Sequence, residues 1–160
     1  WDSGSAWAAV DFAPALGQQG CDISPAWVLA AAEGLVVRSG GGAVIQDLDD
    51  DGIEQTGWTI IYMHIDTIDR VPVGQYLKRG DRVGHPSCEG GYSSASHLHL
   101  SRLYNGVWIA VDDPILPLSI DGWNFLSAGR EYDGWMQKGD ITIEAWDYQG
   151  EINLITPFDH

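Results

Sequence analysis

The segment Ser96-His97-Leu98-His99-Leu100, downstream of Tyr62-Met63-His64-Ile65, decides how this chain is read. His97-Leu98-His99 lies in a β-prone run. Residues i and i+2 of a strand project to one face, so both rings can address one small site. His64 follows a separate apolar run, Trp58-Thr59-Ile60-Ile61-Tyr62, and supplies a third imidazole. Such a group suits a metal ion with a general acid or base beside it. Of the five histidines (64, 85, 97, 99 and 160), none falls in the first 63 residues. The pattern therefore points to a hydrolytic zinc site and withholds one of its expected ligands.

Similar runs recur along the chain, at Leu35-Val36-Val37-Arg38, Ala43-Val44-Ile45 and Val107-Trp108-Ile109-Ala110. Breakers such as Ser39-Gly40-Gly41-Gly42, Lys78-Arg79-Gly80-Asp81 and Glu89-Gly90-Gly91 separate them, which predicts a mainly β, antiparallel, sandwich-like fold. Trp27 to Glu33 suits a short helix by composition, but Gly34 ends it early and the element stays open. After Pro114 the character shifts to a Trp-rich tail with turns at Asp121-Gly122-Trp123 and Tyr132-Asp133-Gly134-Trp135. Within it, Ile141-Thr142-Ile143-Glu144-Ala145 alternates like a strand. A separate domain of about 45 residues would be marginal without staples. The expected organisation is a main domain over residues 1–118, with 119–160 as a C-terminal extension packed on it.

At 160 residues the chain suits one domain with a substantial core. Its 23 acidic against 8 basic residues give a net charge of −15, which makes nucleic acid and anionic membrane poor partners. No apolar run is long enough for a membrane span. The chain starts at Trp1 without a basic-then-apolar leader, which reads as a processed or trimmed product. Cys21 and Cys88 form an even pair, read as a disulfide of an exported protein; two reduced thiols in a cytosolic protein are the alternative. The eight Trp residues serve as core and interface filling, or as platforms for sugars or a partner protein.

Asp47, Asp49 and Asp51, followed by Gly52, take the spacing of a calcium loop. The twelfth position is Trp58 rather than a bidentate Glu, and β-like segments flank the loop. The alternative to calcium is a solvated acidic hairpin tip.

Taken in order, several segments resemble the lysostaphin/LytM-type zinc endopeptidases, which cleave peptide cross-bridges of bacterial cell walls. They are Val10-Asp11-Phe12-Ala13, the Ala-x-x-Gly-x-Val stretch from Ala31 to Val36, Tyr62-Met63-His64-Ile65, the turn around Gly80 to Gly84, and Ser96-His97-Leu98-His99-Leu100. The resemblance runs from about Val10 to Leu103 and leaves the tail uncovered. It implies Asp11 and His99 as zinc ligands, and His64 and His97 as the catalytic histidines flanking the attacking water and the scissile carbonyl. It also implies a secreted protein acting on peptidoglycan peptides or another extracellular peptide.

One departure is plain. The family carries a ligand histidine four residues before the aspartate, and here that position is Trp7, whose indole cannot replace imidazole. The missing donor would come from a segment ahead of Trp1, from Asp2, the N-terminal amine or His85, or from His160 of a neighbouring subunit. Failing that, the resemblance implies a non-catalytic relative, serving as a cell-wall binding module or as a self-associating subunit of an extracellular assembly.

Overall fold

The β-prone runs pair into antiparallel sheets. The computed structural model describes residues 4–14, 20–145, 153 and 155. A helical turn, α1 (Gly4–Trp7), precedes strands β1 (Ala9–Phe12), β2 (Val28–Leu29), β3 (Gly34–Gly40), β4 (Ala43–Asp47) and β5 (Trp58–Met63). Then come β6 (Tyr76–Leu77), β7 (Arg82–Gly84), β8 (Leu98–Tyr104) and β9 (Val107–Trp108). The C-terminal part forms β10 (Ser119–Ile120), β11 (Trp123–Arg130), β12 (Asp133–Lys138) and β13 (Ile141–Glu144). The segment left open between Trp27 and Glu33 yields β2 rather than a helix. Pairing of Val28 and Leu29 with β7, and of Ala30 N–H with the Asp81 carbonyl, engages its backbone in place of helical bonds.

The main sheet runs β1-β8-β5-β4-β3-β6, with β9 paired to β8. Period-2 alternation splits its core between two faces: Val36, Val44, Tyr62 and Leu100 pack on one, and Ala43, Ile45, Ile61 and Met63 on the other. The buried Tyr62 hydroxyl donates to Gln46 Oε1 at 2.8 Å and accepts from Ala31 N–H at 2.9 Å, so this polar tip is satisfied within the core.

The second sheet runs β10-β11-β12-β13. Its Trp123, Phe125 and Met136 cluster with Val10 and Phe12 of β1, and Phe12 meets Phe125 edge to face at 6.4 Å. Arg102 of β8 fastens the connection to this sheet by donating to the carbonyls of Ala110, Leu116 and Pro117. Cys21 and Cys88 form a disulfide with Cα atoms 5.4 Å apart, as expected for the even pair. Among the described residues, no helix is long and apolar enough to cross a membrane.

Candidate active site

Antiparallel pairing of β1 with β8 sets Asp11 directly opposite His99, and β5 sets Met63 opposite the same histidine. Paired residues share a face, so Asp11, His99 and Met63 lie on one side of the sheet. Asp11 Oδ1 lies 3.0 Å from His99 Nδ1, and its Oδ2 lies 3.5 Å from His97 Nε2. One carboxylate thus spans the two histidines that alternation predicts to share a face.

His64 reaches this site by a different route. Regular alternation beyond Met63 would carry it to the face of Tyr62, away from His99. Instead His64 adopts left-handed backbone with φ 62°, and its ring packs 4.4 Å from that of His97 and 6.3 Å from that of His99. Positive φ is uncommon outside glycine and persists only where surroundings impose it. Here the His64 carbonyl accepts from Ser87 N–H at 2.6 Å and Ser87 Oγ–H at 3.1 Å, while Ile65 N–H donates to the Gly42 carbonyl. Gly42 itself has φ 76°, and a side chain there would run into the Glu89–Gly90 backbone. The β3–β4 hairpin can approach that loop because glycine sits at its tip.

The loop in turn sets the protonation of His64. Its Nδ1 lies 2.8 Å from the Glu89 carbonyl, and since a carbonyl only accepts, Nδ1 carries the proton and Nε2 keeps its lone pair. His97 is held alike, with Nδ1–H donating to the Ala95 carbonyl at 2.8 Å. Glu89 is anchored through its side chain, which accepts from Thr67 N–H at 2.9 Å and Thr67 Oγ1–H at 2.8 Å and pairs with Arg70 at 3.4 Å. Burial works against this carboxylate, but the Thr67 bonds and then Arg70 outweigh it and hold its pKa below the ordinary value.

Burial also pushes the His64 pKa below the ordinary histidine value of 6.5. The Glu89 carbonyl opposes this shift, His97 and His99 add to it, and Asp11 opposes it. His64 is therefore expected to be neutral at pH 7, with its Cε1–H resonance titrating below 6.5 in an NMR pH series. Between its folded pKa and 6.5 the unfolded chain binds the proton and the native chain does not. The His64 contribution to stability must accordingly fall as the pH drops through that window. A midpoint at or above 6.5 would contradict the burial argument.

Two neighbours carried no sequence signal. Tyr132, from the turn between β11 and β12, faces His99 with ring centroids 6.0 Å apart. Burial raises its phenol pKa, with the Asp11 and Glu131 carboxylates adding to the effect. Ser5 of α1 is buried, and its Oγ lies 3.1 Å from His99 Nε2. Each is far from the histidine motifs along the chain, and only the turn signal at Tyr132-Asp133-Gly134 marked either segment.

Trp7, at the family's ligand position, ends α1 and is 39% exposed, with its carbonyl accepting from Val111 N–H. His85 is not drawn into the site: its ring packs at a tilt against Trp27, with centroids 3.9 Å apart, and its Nδ1–H donates to the Ala26 carbonyl at 2.7 Å. Asp2, the N-terminal amine and His160 lie outside the described residues. A carboxylate oxygen and an imidazole nitrogen converging at 3.0 Å are donors of the type zinc takes, so Asp11 and His99 fit two corners of such a site. Among the described residues, no third acidic, histidine or cysteine side chain joins them at ligand spacing.

Asp47, Asp49 and Asp51 do draw together. Their carboxylates also serve the turn itself: Asp47 accepts from Gly52 N–H at 2.8 Å, and Asp51 from Ile53 N–H at 2.8 Å and Thr56 Oγ1–H at 2.5 Å. These bonds account for the group as a hairpin cap, and no further observation supports calcium.

Residues 6–111 match the sequence model of peptidase family M23, and the chain belongs to that family. Protease LasA of Pseudomonas aeruginosa is 30% identical over 94 residues, covering 54% of this chain and 22% of LasA. Lysostaphin of Staphylococcus simulans is 37% identical over 83 residues, covering 49% of this chain and 16% of lysostaphin. The matches thus span less than a quarter of either relative's length. Among solved structures, pseudoalterin, an M23 metalloprotease from the deep sea, superposes with a TM-score of 0.70 at 21% identity, covering 90% of this chain and 85% of that one. At that identity the likeness concerns the fold, which is the mainly β architecture expected from the sequence.

Proposed function

We propose that the chain carries the catalytic unit of a secreted zinc-dependent metalloendopeptidase acting on peptidoglycan cross-link peptides. The observation that carries this reading is the convergence of Asp11 Oδ1 and His99 Nδ1 at 3.0 Å beside two histidines whose Nδ1 protons are held by backbone carbonyls. Membership of a peptidase family, a relative named as a protease and the Cys21–Cys88 bridge support it. Residues 1–118 would form the peptidase unit, with 119–160 an extension that adds Tyr132 to the rim of the site.

Asp11 and His99 would hold the zinc, with the remaining donor supplied from outside the described residues. Zinc supplies Lewis acidity, acidifying water towards neutrality and polarising the scissile carbonyl. The chain's own groups move the proton. With Nδ1 protonated, His64 and His97 each keep the lone pair on Nε2, that of His97 beside Asp11 Oδ2; one would take the proton from water, and the other, once charged, would steady the oxyanion. Trp7 favours a second reading, in which the same site binds wall peptide without cutting it.

Zinc per chain, measured with and without chelation, separates the two, together with release of peptide ends from purified peptidoglycan. The hydrolase reading expects about one zinc per chain and hydrolysis that chelation abolishes and added zinc restores. Failure to bind zinc at micromolar metal would leave only the binding module.

A further inference from the structure

We infer that Ser5 is a positioning residue for His99, holding its ring so that Nδ1 faces Asp11; the inference rests on the zinc-site reading above. The three histidines of the site have different partners. His64 and His97 donate Nδ1–H to the carbonyls of Glu89 and Ala95, which leaves each a lone pair on Nε2, with that of His97 near Asp11 Oδ2. His99 is turned the other way: Nδ1 points at Asp11 Oδ1, and Nε2 points at Ser5 Oγ, 3.1 Å away. A ligand histidine offers the metal one nitrogen as a lone pair and needs a partner for the proton on the other. A carbonyl could only accept that proton. A hydroxyl both donates and accepts, so Ser5 complements His99 in either state. With a neutral ring and no metal, the carboxylate of Asp11 can only accept, so Nδ1–H donates to it and Ser5 Oγ–H donates to Nε2. Were Nδ1 to give its lone pair to a metal, the proton would sit on Nε2 and donate to Ser5 Oγ.

Placement reinforces the assignment. Ser5 is 6% exposed and His99 is 5% exposed, so water does not readily substitute for the hydroxyl. Ser5 sits on α1, just outside the residues matched to the family, and 94 residues from His99 along the chain. The turn that leaves Trp7 without a metal-binding group thus delivers a hydrogen-bonding group to the back of the ligand that remains.

The test compares the intact chain with Ser5→Ala and Ser5→Thr by chelator-competition zinc affinity and by ¹⁵N NMR of the His99 ring. Ser5→Ala is expected to weaken zinc binding about 10- to 100-fold, while Ser5→Thr, which keeps the hydroxyl, stays within about threefold of the parent. In the zinc-loaded parent, His99 Nε2–H should be protected from solvent exchange, and Ser5→Ala should lose that protection. The parent measurement tests the bond even if Ser5→Ala does not fold. Equal affinity of Ser5→Ala and the parent, equal weakening by both substitutions, or an unprotected Nε2–H in the parent would overturn the assignment. A parent that takes up no zinc would defeat the zinc reading itself, and this inference with it.

Discussion

Replacing His97 with alanine is expected to slow peptide hydrolysis by about 10²- to 10⁴-fold while leaving zinc content unchanged, the loss typical of a general acid or base. The geometry separates the two roles. Asp11 divides its oxygens, with Oδ1 towards His99 and Oδ2 towards His97, so the alanine removes the contact with one oxygen and leaves the proposed ligand pair intact. The same substitution at His64 should behave alike, because its ring reaches the site by packing on His97 and not by facing Asp11 directly. His99→Ala should instead lose zinc and hydrolysis together. Single-turnover rates beside metal-to-protein ratios read both quantities. Unchanged cleavage by His97→Ala would remove it from the catalytic machinery, and loss of zinc would move it into the ligand set.

Opening the Cys21–Cys88 bridge is the second large effect. The bridge closes a loop with a sequence separation of 67. Loop-closure entropy for a ring of that size corresponds to about 4 kcal/mol of stability, a large share of what a domain of this size holds. Removing both thiols (Cys21→Ser with Cys88→Ser) should lower the unfolding free energy by about that amount in a denaturant titration. A loss below about 1 kcal/mol would show that the loop is held by other contacts. Those contacts exist: Ser96 N–H donates to the Gly20 carbonyl at 2.8 Å and Ser24 N–H to the Pro86 carbonyl at 3.4 Å. The bridge also borders the site. Cys88 precedes Glu89, whose carbonyl fixes the His64 proton, so the double variant should lose kcat more than it raises KM.

Much of the fold was legible because its signals are local. The runs at 35–38, 43–45, 58–62 and 98–100 all fall in strands, with His97 bridged to Ser87 just ahead of β8, and Ile141 to Glu144 forms one more. The segment near Trp27 was not legible, because two residues of strand carry too little periodicity to distinguish them from a helical turn; their pairing with β7 decides it. For the site, His97 and His99 share a face as period 2 requires, and Cys21 meets Cys88.

By itself, then, the sequence determined a mainly β chain, a histidine pair on one strand face, an even cysteine pair and an order of motifs belonging to the M23 peptidases. It also determined that Trp7 stands where a ligand is expected. Only the tertiary structure decided how these residues meet. Strand register sets Asp11 against His99; the left-handed backbone at His64, pinned by Ser87, brings its ring across to His97; and Ser5 and Tyr132 arrive from positions outside the family match. The physical reason is range. Alternation and turn chemistry act over a few residues, whereas the partner of each imidazole nitrogen is set by a backbone or side-chain group, some of them tens of residues away in the chain.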